Sequence, residues 1–148
     1  MSCTTIAVAH ADGNLHGKKD FRNAWGSAAF IWTALARKYK IGADENGQFG
    51  THYKSDMPSY DSWEAVWKYH QDGKPLTPWE ANTLVTTYDN MVIFREDLPV
   101  IAESFRRFAD ALRTPNQVCT LAEQAAFLDE VYAADALAVA WNQTSVSD

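Results

Sequence analysis

Four histidines, at positions 10, 16, 52 and 70, and two cysteines, Cys3 and Cys119, are the residues from which a metal or nucleophilic site would have to be built. Zinc needs three or four converging ligands, and its sites show short recurring spacings such as HExxH or CxxC. No pair of these histidines stands at the i, i+4 spacing of one helix face, and neither motif occurs. The reading is therefore no metal and no cofactor. The cysteines lie far apart and are expected as two reduced thiols, since a core of this size does not require a cross-link.

Other chemistries fare no better. Asp44-Glu45-Asn46-Gly47-Gln48 has the composition of a calcium loop, but its twelfth position is Ser55 where a bidentate Glu is required. There is no phosphate-binding glycine loop, no GxGxxG and no GxSxG nucleophile elbow. Adjacent carboxylates such as Glu96/Asp97 and Asp129/Glu130 diverge on a helix and read as surface charge. The expectation leans away from an enzyme and names no catalytic residue.

Charge is more informative than any motif. The net charge of the 148-residue chain is −6, but its first 74 residues hold nine Lys/Arg against eight Asp/Glu. The remaining 74 hold four against eleven, and no Lys or Arg follows Arg113. A surface of one negative sign repels nucleic acid and attracts basic proteins. Direct nucleic-acid binding is excluded on that ground. No apolar run reaches the roughly 20 residues of a membrane-spanning helix. The start has no basic n-region, so the expected location is cytoplasmic.

These side chains need elements to position them. Periodicity predicts an all-α fold, a five-helix bundle formed as one domain over 1–148. Residues 1–20 form an extended arm or loop with a short extended segment at 4–9. The first helix runs from Asn23 to Tyr39, followed by a long irregular loop over 42–61. The second helix covers 62–71 and the third runs from the Thr77-Pro78-Trp79-Glu80 capping box to about 93. The fourth, near Asp97 to Arg113, has the cleanest apolar stripe: Leu98, Ile101, Ala102, Phe105, Phe108, Ala109 and Leu112. The fifth runs from Thr120 to Trp141, leaving a frayed tail over 142–148.

Three features resist the pattern. The loop 42–61 carries Phe49, Tyr53 and Tyr60, and Trp79 lies off the stripe of its helix. Asp135 interrupts the apolar face of the fifth helix, where it either pairs with an arginine such as Arg95 or Arg22 or anchors a basic partner. With Asp129 and Glu130 these are the candidate partner-binding residues. The expected function is a non-enzymatic, acidic protein-binding module. It would act as an inhibitor, immunity or anti-defence protein of a phage or mobile element, occupying a basic or nucleic-acid-binding surface of its target. Two alternatives remain open. One is a structural or accessory subunit that self-associates, as a homodimer for instance. The other is a small enzyme or ligand-binding bundle with an aromatic pocket around Trp63, Trp67 and His70.

Overall fold

The computed structural model describes residues 2–10, 15–23, 27–43, 45–46, 60–88, 91–112 and 120–145. In chain order they form β1 (Ser2–His10), β2 (Leu15–Asn23), α1 (Ser27–Tyr39), α2 (Tyr60–Gln71), α3 (Pro78–Val85) and β3 (Met91–Phe94). A 3-10 turn (Arg95–Asp97), α4 (Leu98–Leu112), α5 (Leu121–Ala133) and β4 (Ala136–Ser145) follow. The strands make one antiparallel sheet in the order β2-β1-β4-β3. The expected all-α five-helix bundle is thus wrong: the fold is mixed, a layer of helices on a four-stranded sheet.

The two terminal segments make the centre of that sheet. β1 pairs with β4 along its length, from Ser2 opposite Ser145 to His10 opposite Ala136. The arm over 1–20 and the tail beginning at 142 are therefore ladder strands over 2–10, 15–20 and 142–145. Their buried side alternates at period two, with Thr4, Ile6 and Val8 on β1 and Val139 and Trp141 on β4. Ile6 lies opposite Trp141 and Val8 opposite Val139. The Trp141 ring meets the Phe105 ring of α4 edge-on at 5.9 Å. Burying an indole removes roughly 200 Å² from water, about 5 kcal/mol gross at 25 cal/mol per Å².

The other side of the sheet is lined by Thr5, Ala7 and Ala9 on β1, Ala138, Ala140 and Asn142 on β4, and Val92 and Phe94 on β3. None of these belongs to the core cluster, which is built from the opposite face and the helices. Alanines in the two central strands leave that side shallow.

Asn23, expected to open the first helix, is the last residue of β2, and α1 begins at Ser27; the third and fifth helices are also shorter than periodicity predicts, each for a local reason. The fifth ends at Ala133, and Asp135 takes a left-handed conformation (φ 60°) that breaks the helix before β4. Its N-cap Thr120 makes no side-chain capping bond; instead the Gln124 amide donates to the Thr120 hydroxyl at 3.0 Å. The third ends at Val85. Thr83, Thr86 and Thr87 turn their hydroxyls back onto the carbonyls of Trp79, Thr83 and Leu84, a competing pattern that disfavours continuation. Its capping box is present as expected: the Thr77 hydroxyl accepts from the Glu80 N–H and the Glu80 carboxylate from the Thr77 N–H. Among the described residues no helix is long and apolar enough to cross a membrane.

Candidate functional site

β3 is four residues long, and its register sets Phe94 opposite Ala138 and Val92 opposite Ala140. Because the facing residues are alanines, Val92 and Phe94 stand clear of the sheet, Phe94 at 60% exposure. Leu137, next to Ala138 in β4, is 46% exposed. The register of β1 on β4 shifts beside it, between Ala9 and His10.

Arg95, which follows Phe94, ties this corner together. One guanidinium nitrogen donates to the carbonyls of Tyr132 (2.9 Å) and Ala136 (3.1 Å), capping the end of α5 and the start of β4. Its guanidinium also sits 4.1 Å from the centre of the Tyr132 ring, itself exposed. A second nitrogen lies 3.6 Å from the Asp135 carboxylate. Val92, Phe94, Tyr132 and Leu137 are four of the six large apolar or aromatic residues that stand exposed among the described residues. Glu96, Asp97, Glu130 and Asp135, all exposed, lie within a few residues of these four in the chain. Exposed apolar and acidic side chains thus share the segments that Arg95 joins.

A second cluster is chemically unusual but closed. The Glu80 side chain is 1% exposed. It accepts from the Lys38 ammonium (2.8 Å), the Thr77 N–H (2.9 Å) and, through a very short bond, the Tyr39 hydroxyl. Burial pushes the Glu80 carboxyl up, but the bonds from Lys38, Tyr39 and Thr77 outweigh it and leave the pKa lowered. The bond to Glu80 raises Lys38; burial, reinforced by the bond to Glu80, raises Tyr39. Both carboxylate oxygens face protein donors, which hold Glu80 ionised inside the fold. It is a clamp of α1 on α3.

Trp79 stands beside this clamp and separates two clefts. One, of about 200 Å³, is lined by Leu35, Lys38, Trp79, Glu80 and Phe108. The other, of about 390 Å³, is lined by Pro78, Trp79, Asn82, Pro99, Val100 and Arg107. Trp79 is half-buried, its ring edge-on to Phe108 at 5.8 Å and under the Lys38 ammonium at 5.2 Å.

The remaining sequence candidates scatter. Phe49 and Tyr53 lie outside the described residues, as does the side chain of Tyr60, the first residue of α2. Asp129 is ion-paired with Arg106 of α4, while Glu130 is exposed on α5 and Asp135 meets Arg95. Of the four candidates with described side chains, Glu130 and Asp135 lie on the segments of the corner. The Trp63 side chain lies outside the description; Trp67 stacks on Tyr88 with its edge toward His70, and neither lines the two clefts. Among the described residues no three His, Cys, Asp or Glu side chains converge to hold a metal. Val92, Phe94 and Leu137 were not singled out by sequence. The signal for Val92 and Phe94 was the β-prone run Met91-Val-Ile-Phe94, followed by Arg95 and then two acids. No family model matches the chain, and comparison with curated proteins and with solved structures finds no match.

Proposed function

We propose that this protein is a non-enzymatic binding module that uses the β3 corner to hold a protein with a basic rim around an apolar anchor. The observation that carries the reading is that Arg95 joins two segments exposing Val92, Phe94, Tyr132 and Leu137 together with Glu96, Asp97, Glu130 and Asp135. Exposed aromatics enclosed by polar residues are the composition of binding hot spots. Residues 91–97 and 130–137 contain Glu96, Asp97, Glu130 and Asp135 against a single arginine, Arg95. Charge of that sign speeds capture of a basic surface and disfavours an acidic one. A second copy is the poorer occupant, because two chains of net charge −6 would bring like charges together.

The experiment is a pull-down from source-cell lysate with the native protein, Phe94→Glu and Glu96→Lys/Asp97→Lys side by side, each checked for an unchanged melt. One basic protein should be retained by the native chain and lost with Phe94→Glu. Its binding should fall with Glu96→Lys/Asp97→Lys and with added salt. The same retained set from all three overturns the corner as the contact surface. Sedimentation as a stable dimer abolished by Phe94→Glu would replace the basic partner with a second copy.

A further inference from the structure

We propose that the partner is held as a fifth strand, an extended segment of alternating apolar residues with basic residues at its flanks, paired to the free edge of β3. This rests on the corner being the contact surface and adds how the backbone takes part. Among the described residues β3 pairs with β4 alone, so half of its N–H and C=O groups face away from the sheet. An open edge is a template for another chain unless it is blunted by charge, proline or a bulge.

The two edges of this sheet are treated differently. β2, at the far side, exposes Lys18, Lys19 and Asp20, and its pairing with β1 is interrupted between Ala7 and Ala9. Met91-Val92-Ile93-Phe94 has neither charge nor proline nor a break in register with β4. Its shortness is the only protection among the described residues. Short length limits backbone pairing to a few bonds, so side chains must supply the rest of the affinity.

Phe94 and Val92 supply them on the bare face of the sheet. A strand laid beside β3 would place alternate side chains next to those two residues, above the shallow alanine surface of β4. The intervening side chains would fall next to Met91 and Ile93, both half-buried at the margin of the core. Glu96 and Asp97, which follow β3 after Arg95 (its guanidinium turned to the carbonyls of Tyr132 and Ala136), then select basic residues at the flank of the segment. Opposite charge at the flank and apolar alternation within it define one class of ligand.

The test uses a random-peptide library displayed on phage, selected on the full-length protein and counter-selected on Phe94→Glu. The best peptide is then synthesised with each backbone nitrogen methylated in turn. The expected ligands alternate apolar residues between basic flanks. Methylation should cost roughly tenfold or more in affinity at every second position and little between, because only alternate N–H groups of an added strand face β3. Losses at helical spacing, or none at any position, overturn the fifth strand while leaving the corner as the contact surface. Peptides that bind Phe94→Glu equally well overturn the corner itself. Failure of any peptide to enrich above an uncoated support also overturns the strand.

Discussion

The indole N–H of Trp141 donates to the side-chain oxygen of Gln124 at 3.2 Å within the core, and both residues are fully buried. Gln124 also donates to Thr120, so this chain of bonds fastens the start of α5 to the central strand β4. Gln124→Leu keeps volume but leaves the indole donor without its acceptor. It should lower unfolding free energy by about 1–3 kcal/mol, read from a urea transition. Adding Trp141→Phe should cost less than the sum of the two single changes, since the unpaired donor goes with the ring. A Gln124→Leu protein as stable as the native chain would show that this bond contributes nothing.

The Glu80 clamp predicts a stability plateau with two edges. The lowered Glu80 pKa means its stabilisation is complete above the unfolded carboxylate range, near pH 4–5, and is lost as pH falls through the folded value. Lys38 and Tyr39, both raised, act in the opposite sense. Their contributions are complete below about pH 10 and are lost as pH rises through the folded values. Melting temperature should therefore be flat between these limits and fall on either side.

Glu80→Gln should flatten the acid edge and cost about 1–3 kcal/mol at neutral pH, where a charge-assisted bond is replaced by a neutral one. Tyr39→Phe should cost about 1 kcal/mol and reduce the loss on the alkaline side. The exposed half of Lys38 limits what its pairing adds, so Lys38→Met should be the mildest of the three. An acid edge that survives Glu80→Gln unchanged would place its origin in other carboxylates.

What was legible in the sequence tracks how strongly one period dominated. α4 was read almost to its ends because seven apolar residues repeat at helical spacing between charged neighbours, and α3 was started correctly by its capping box. β4 was merged into α5 because Ala136-Leu-Ala-Val-Ala-Trp141 satisfies both periods, with Ala138 and Ala140 on the bare side of the sheet where strands usually show polar residues. β2 gave little alternation, since an edge strand with one described buried side chain, Phe21, has little to alternate. The corner was out of reach for a different reason. Phe94 and Leu137 belong to distant segments, and only the register of β3 on β4 makes them neighbours.

Asp135 illustrates the same point and supplies a test of the corner's construction. A charged residue inside an apolar run reads as a defect in a helix; here it is the residue that ends the helix, at φ 60° and 93% exposed. Its pairing with Arg95 is solvent-facing on the carboxylate side and adds little. The backbone conformation is the stronger requirement. Asp135→Gly should stay within about 1 kcal/mol of the native protein, because glycine adopts that conformation without a side-chain penalty. Asp135→Val should lose about 1–2 kcal/mol for forcing a branched residue into the left-handed region. Arg95→Ala removes two bonds to the carbonyls of Tyr132 and Ala136 and should lose about 1–3 kcal/mol. Thermal melts of the three variants at neutral pH give the order. If Asp135→Gly loses as much as Asp135→Val, the carboxylate and not the backbone holds the turn, and Arg95 would then act mainly through Asp135.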